Sequence, residues 1–512
     1  VSGAGSGGEP IPSAAPEARR IARGAFWATI EVWGVELLQL LAFLLLARLV
    51  GPEAYGLVAL AMAFVLVPQN LLVHGGWIEA LVQRPELSRA EVDSVFWLLA
   101  GLGLASALLL LALAPWAVSW FGLPELGPLL AALSLCPLLT SLMVVPAGLL
   151  QRRLALAPLA LRSILGAGVG GAVAVTLAIA GAGPWALVAN EIAWPLAGVV
   201  VLGLAAGHRP RALFVRRELR AIGRFALGIT GEQLVTLGEL FLPRVLLAAA
   251  SGPIAVGLWG LARKLFELSA ELVTRPALRV ALPGFARSSH DPTRLSESLA
   301  VAVELTALVA VPGYLSGLVL APDIVALAFG ESWRGAGSAL QILALSGPIL
   351  PLGLLLTSAF QGAGRSDLVL TLGAVGGLVL LVLLLPLLAW GAHGVAAAFT
   401  LRAWSMLPVR LELARRVLGV PPGRVLTPLA AVAKAGLVML AVIWAARVAV
   451  TTGATVSDLA LSAAAGLLGY LLGILTFARP ALHRAVRGLR AVGKGPDPSP
   501  DRVKESRRDP GL

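Results

Sequence analysis

Charge is scarce in this chain: 13% of its residues are Asp, Glu, Lys or Arg, against 58% hydrophobic, and the mean hydropathy is +0.87. That scarcity excludes an ordinary soluble globular domain, in which about a quarter of residues are charged. Cysteine is scarcer still. Cys136 stands alone, so no internal disulfide can form, and no His/Cys/Asp cluster surrounds it to suggest a metal site. We read it as a small packing residue. The opening segment VSGAGSGGEPIPSAAPEARR lacks the apolar core of a cleaved signal peptide, and residues 1–24 read as a disordered cytoplasmic lead. Long polar stretches are also missing, so large soluble domains have no place in the chain.

What the chain does have is apolar runs. A helix needs roughly 20 apolar residues to cross about 30 Å of hydrocarbon, and runs of that length recur from Phe26 almost to Phe477. The runs predict helices over 26–50, 57–81, 95–114, 126–149, 160–181, 184–206, 225–248, 256–279, 299–320, 338–360, 368–389, 392–412, 427–450 and 458–477. The expected fold class is therefore all-α, a polytopic membrane protein of about 14 transmembrane helices.

Charge placement gives the helices a direction. With the N-terminus inside, the cytoplasmic segments collect Arg19, Arg20, Arg23, Arg84, Arg89, Arg152, Arg153, Arg162, the run from Arg209 to Arg224, Arg287, Arg294, Arg365, Arg415, Arg416, Arg424 and the tail. The opposite side keeps little beyond Arg48, Arg244, Arg334 and Arg447. This positive-inside bias places both termini in the cytoplasm. The net charge of +12 is then largely topogenic, and no nucleic-acid partner is expected. The basic loop and tail could also touch anionic lipid headgroups.

The chain also repeats itself. GPEAYGL (Gly51 to Leu57) aligns on GPIAVGL (Gly252 to Leu258), and the same register pairs Thr29 with Thr230 and Glu31 with Glu232. An even number of predicted helices separates the copies, which describes a parallel pseudo-two-fold repeat. The expected organisation is a six-helix N-lobe (25–206), a basic inter-lobe loop (207–224), a six-helix C-lobe (225–416), two appended helices (425–478) and a disordered basic cytoplasmic tail (479–512).

ARLVGPEAYGLVALAMAF, ALVQRPELSRAEVDSVFW, LLQRRLALAPLALRS, GAGPWALVANEI, GLWGLARKLFELSAELVTRPALRVALPGFAR and LAFGESWRGAGSALQILALSGPI follow one another in order. Together, from about Gly24 to Arg416, they resemble the polysaccharide transporters of the multidrug/oligosaccharidyl-lipid/polysaccharide exporter superfamily. The resemblance is particularly to the colanic-acid-exporter-like Wzx flippases. It implies transfer of a polyprenyl-diphosphate-linked oligosaccharide across a bacterial inner membrane by alternating access, for exopolysaccharide, capsule or O-antigen synthesis. It implies no cofactor. The implied partners are that substrate, membrane lipids, H+ or Na+ as a coupling ion, and a polysaccharide polymerase or export complex.

A charge near the bilayer centre costs about 2.5 kcal/mol or more, so ionisable residues inside predicted spans are the candidate site. In 256–279, Arg263, Glu267, Glu271, Arg275 and Arg279 recur every four residues along one face, with Lys264 beside them. Two readings stand. The stripe is either a ladder paired within itself, Arg263 with Glu267 and Glu271 with Arg275, or a cavity-facing surface whose arginines bind the diphosphate. The repeat-related spans 26–50 and 225–248 carry Glu31, Glu36 and Gln39, and Glu232, Gln233 and Glu239. These glutamates, with Glu267 and Glu271, are candidates for ion coupling, against a plain hydrogen-bonded packing role. Arg48 and Arg244, ending the same two spans, are candidates for headgroup phosphate or interface anchors. Asn190, Glu191, Glu304, Arg402 and Lys434 are weaker candidates, and His74 reads as structural. Pro68, Pro137, Pro146, Pro195, Pro312, Pro348, Pro351 and Pro386 fall inside spans, with GPILP (Gly347 to Pro351) the most concentrated hinge candidate.

Two other functions stay open on residues alone. A cation-coupled multidrug exporter or a peptidoglycan-precursor flippase would share the architecture. A membrane polysaccharide polymerase or ligase would need an outer catalytic segment, and the longest one here, about Ala321 to Ala336, carries no defensible Ser/His/Asp or paired-carboxylate arrangement.

Overall fold

The structure, a computed structural model, describes residues 14–73, 76–84, 87–288, 291–449 and 455–479. Side chains are described throughout these except at 14–33, 73, 216–218, 220–236, 272–277, 279–280 and 282–283. The described residues form α1 (Ala14–Val73), α2 (Trp77–Gln83), α3 (Arg89–Phe121), α4 (Leu126–Leu133), α5 (Leu135–Arg152), α6 (Leu156–Ile179), α7 (Pro184–Ala206) and α8 (Arg216–Ser288). Then follow α9 (Pro292–Phe329), α10 (Arg334–Ala344), α11 (Leu350–Gly362), α12 (Ser366–Leu387), α13 (Gly391–Leu418), α14 (Pro422–Ala449) and α15 (Val456–Phe477). Helix α1 begins at Ala14, inside the stretch expected as a disordered lead. Most of the expected tail lies outside the described residues.

Ten helical segments among the described residues are long and apolar enough to cross a membrane. Their outer faces confirm the solvent: Leu204 is 81% exposed, and Ile179, Leu468 and Trp120 stand out similarly, a surface that only lipid accommodates. The two longest helices, α1 and α8, are longer than one crossing and are broken. In α1, 60 residues would make a rod of about 90 Å, three times the hydrocarbon thickness. The rod is interrupted at Gly51 (φ 81°, ψ 169°). The 73-residue α8 is interrupted in the same way at Gly252 (φ 75°, ψ −178°). Only glycine enters that region of φ without steric cost. These are the two glycines that open the repeated Gly-Pro-x-Ala-x-Gly, so the sequence repeat is a repeat of backbone geometry.

Two compact units comprise the described parts of Val1–Ala262, Val325–Ala339 and Gly373–Ala398, and of Arg263–Ile324, Leu340–Leu372 and Phe399–Leu512. In the first unit the two repeat motifs meet. A Cβ on Gly56 would lie 1.8 Å from the Pro253 carbonyl oxygen, and one on Gly257 would lie 2.0 Å from that of Pro52. The contact is reciprocal, each motif's last glycine receiving the other's proline carbonyl. Beside it Trp333 is fully buried, donates its indole N–H to the Ala47 carbonyl (2.8 Å) and meets Tyr55 edge to face. Phe43 joins Tyr55 and Phe329 in the same cluster. Small residues let neighbouring helices approach: Gly166 and Gly170 of α6 lie against Trp194 and Ala193 of α7, and Gly103 of α3 against Ser141 of α5. Cys136 is fully buried, as expected of a packing residue.

In the second unit α14 runs beside α9, with Gly436 against Val311 and Leu315. Helix α15 places Gly466, Gly469 and Gly473 on Met439, Val442 and Ala435 of α14, and its Tyr470 hydroxyl donates to the Leu308 carbonyl of α9 (2.8 Å). The predicted helix 338–360 is divided between α10 and α11 by turns at Leu345–Ile349, at the proline-rich GPILP. There a Cβ on Gly347 would lie 2.0 Å from the Tyr314 ring.

Candidate functional site

The expected basic stripe begins where α8 enters the second unit. Arg263 Nε donates to Glu267 Oε1 at 2.5 Å, one helical turn on, as the ladder reading requires. The Arg263 guanidinium also lies over the Phe399 ring at 4.6 Å, and that of Arg402 lies 5.4 Å from the same ring. Two arginines therefore share one aromatic surface, contributed by α13, in a cation–π arrangement. The patch is not sealed by its own unit, since the Arg263 and Glu267 side chains keep 28% and 42% of their surface. An open charged pair turned to hydrocarbon would carry the full cost of an intramembrane charge. Lys264 is exposed beside the pair, and Glu271 is half-buried on the same face. Glu31, Glu232, Arg275 and Arg279 lie outside the residues whose side chains are described, as does His74.

The remaining candidates lie in the first unit. Arg48 is exposed at the end of the first half of α1; Glu36 and Glu239 are half-buried. Arg244 does not stand alone at an interface. It shares an electrostatic neighbourhood with Glu191 of α7 and with Tyr55. Glu191 was a weak candidate in the sequence, and its partner there was unreadable because the two residues sit on different helices. The thiol of Cys136 approaches the Glu191 carbonyl at 3.8 Å. Among the described residues, no group of three or more His, Cys, Asp or Glu side chains could hold a metal ion.

A second polar centre, absent from the sequence reading, fastens the basic loop after α7. Helix α3 opens with a capping box between Ser88 and Glu91, and Glu91 also accepts from Arg84 at 2.6 Å. Two residues on, Asp93 is fully buried and its Oδ1 lies 3.2 Å from His208 Nε2. The loop is further held by Val215 N–H donating to Ser94 Oγ (2.9 Å), and by Trp97 donating its indole N–H to the Arg211 carbonyl (2.7 Å). Burial lowers the pKa of His208 from its ordinary value near 6.5; Asp93 pulls it up, and Arg89 and Arg153 push it down. The unfolded loop therefore binds the proton more readily. The latch is at full strength above about pH 6.5 and loses stability as the pH falls below it. Hydrogen exchange across 207–215, corrected for intrinsic rates, should be faster at about pH 5.5 than at about pH 7.5, and His208→Gln should remove the difference.

The family model for polysaccharide biosynthesis proteins matches residues 45–337, more than half of the chain. The chain belongs to this polysaccharide biosynthesis protein family. The succinoglycan biosynthesis transport protein ExoT of Rhizobium meliloti is 29% identical over 335 residues, covering 65% of this chain and 67% of the relative. The lipopolysaccharide biosynthesis protein WzxC of Escherichia coli is 24% identical over 363 residues, covering 67% and 70%. The fold is shared with the lipid II flippase MurJ in an inward closed conformation, at a TM-score of 0.70 and 15% identity, covering 89% of this chain and 99% of the other. The family member described here is thus an all-α polytopic membrane protein, and the resemblance carried by its motifs is to its own family.

Proposed function

We propose that this chain flips a polyprenyl-diphosphate-linked oligosaccharide across the bacterial inner membrane by alternating access. One observation carries the reading: a polysaccharide biosynthesis protein has the fold of a lipid II flippase over nearly the whole length of both. The transport named for ExoT supports it. In this reading the chain catalyses no covalent step. Transfer requires only that the substrate bind the inward and outward states with the differential affinity that drives their exchange.

The basic stripe supplies the polar end of the path. Arg263 and Arg402, set on Phe399, present guanidinium forks that suit paired hydrogen bonds to a diphosphate, with Lys264 beside them; Arg275 and Arg279 are proposed for the same role on their sequence spacing. Arg48 and Arg244, which end the repeat-related spans, would meet the headgroup phosphate after transfer. Glu31, Glu36, Glu232, Glu239, Glu267 and Glu271 are the groups through which H+ or Na+ would couple. The arginines disfavour a cationic drug as cargo. The lobes 25–206 and 225–416, fourteen crossings and cytoplasmic termini complete this proposal, the last from the positive-inside bias. A polymerase or export complex would receive the product.

The test is complementation in a strain lacking the gene, reading both exported polysaccharide and the leaflet distribution of lipid-linked repeat units. Arg263→Gln and Arg402→Gln should each lower export roughly tenfold, the loss of one charge-assisted hydrogen bond, at unchanged protein level. Arg263→Lys should retain part of it. Normal export in both Gln variants would assign these arginines to helix packing alone, and an unaltered leaflet distribution in the deletion strain would refute the function.

A further inference from the structure

At their N-terminal ends α9 and α14 enclose a cleft of about 650 Å³, lined chiefly by Glu297, Val301, Glu304, Arg424, Thr427 and Pro428. Its volume is that of a small-ligand site. The two helices are parallel, because their N-terminal portions share this cleft while their far ends share the ion pair of Asp323 with Arg447. Their lengths set its depth. The 28 residues of α14 make about 42 Å and the 38 of α9 about 57 Å, against about 30 Å of hydrocarbon. Glu304 and Pro428 each precede the Asp323–Arg447 pair by 19 residues, about 29 Å of helix, so the cleft floor and that pair lie about one hydrocarbon thickness apart and the cleft opens at the level of the lipid headgroups.

Charge inside the cleft is arranged by depth. Glu297, Arg424 and Thr427 are exposed at the mouth. Glu304, two turns further along α9, is buried to 4% exposure at the floor. Glu304 already engages the protein, and a carboxylate offers about four lone-pair sites, so it can accept from a ligand as well. Two carboxylates with one guanidinium repel an anionic headgroup. A lone cation would leave Arg424, a phosphate-binding fork, without use. A quaternary ammonium has no N–H to donate to a carboxylate. A ligand carrying a primary ammonium next to a phosphate satisfies both signs, and Val301 and Pro428 offer apolar walls continuous with the acyl region.

We propose that this cleft binds the headgroup of a zwitterionic, primary-amine phospholipid, with the ammonium on Glu304 and Glu297 and the phosphate on Arg424 and Thr427. The lipid would seat between α9 and α14 as a wedge at the base of the appended helices. The site is separate from the transport reading and holds whichever substrate is carried.

Native mass spectrometry of the full chain released from detergent tests this, using phosphatidylethanolamine, phosphatidylcholine and phosphatidylglycerol of identical acyl chains. We expect phosphatidylethanolamine to be retained at least fivefold more than either other lipid. Glu304→Gln should abolish the preference. Because Glu304 is buried, Glu297→Gln and Arg424→Gln at the exposed mouth provide variants that fold independently of it, and each should reduce the preference severalfold at an unchanged unfolding midpoint. Equal retention of the three lipids, or an undiminished preference in Glu297→Gln and Arg424→Gln, would overturn the proposal. So would displacement of the lipid by an equal concentration of free phosphoethanolamine, which would identify a soluble ligand instead.

Discussion

Gly56→Ala and Gly257→Ala should each remove most of the folded protein, although each adds a single methyl group. The added carbon would lie 1.8 Å from the Pro253 carbonyl oxygen in one case and 2.0 Å from the Pro52 carbonyl oxygen in the other, far inside van der Waals contact. The obstacle is backbone, and it follows a glycine already held at positive φ, so no side-chain rotation relieves the clash. Overpacking a well-packed interior costs about 1–3 kcal/mol when side chains can yield; here the helix halves must separate, and the cost should be at the upper end or beyond. Gly101→Ala in α3 is the control, since nothing lies within 4 Å of its Cβ position. Size-exclusion profiles and unfolding midpoints in detergent measure the difference. The double variant should be less than additive, because either methyl group alone opens the same contact. A Gly56→Ala protein with a wild-type midpoint would contradict the reciprocal packing.

The contact between the two motifs has no signature in the sequence. The repeated Gly-Pro-x-Ala-x-Gly was legible because its two copies share register, and the breaks at Gly51 and Gly252 follow from it. That the copies touch each other was not legible, since a motif says nothing of its partner. The Arg263–Glu267 pair was legible for the opposite reason: helical periodicity brings residues four apart together whatever else the chain does. Long-range pairs had no such signal. Trp333 reaches Ala47 across 286 residues, and Glu191 meets the field of Arg244 from another helix. His208 lies in a loop whose positive charge was its only signal, and Asp93 lies just before the span 95–114, in a motif that carries the family resemblance but no sign of a partner. The predicted spans 26–50 and 57–81, and 225–248 and 256–279, part at Gly51 and Gly252; what apolar runs do not show is that helix continues on both sides with one non-helical residue between.

Arg447 was counted in the sequence as one of the few basic residues on the outer side, yet in the structure it is paired with Asp323 of α9, 124 residues away. Asp323 is almost fully buried and Arg447 is about one quarter exposed. Removing one partner leaves the other's charge only partly compensated. Arg447→Leu and Asp323→Leu should therefore each destabilise the protein by about 3 kcal/mol, the low end for a broken buried pair because Arg447 retains some solvent. The double variant should recover most of that loss, since neutralising both partners removes the stranded charge, and a thermal double-mutant cycle reads the coupling directly. A topogenic role makes a different prediction. If Arg447 acted through its charge on insertion, reporters fused after α15 would change their sidedness in Arg447→Leu and remain unchanged in Asp323→Leu. If it acts as the partner of Asp323, the orientation is unchanged in both variants and only the midpoint moves. The pairing predicts the second pattern, because the bias that orients the chain rests on the many other basic residues and does not depend on this one.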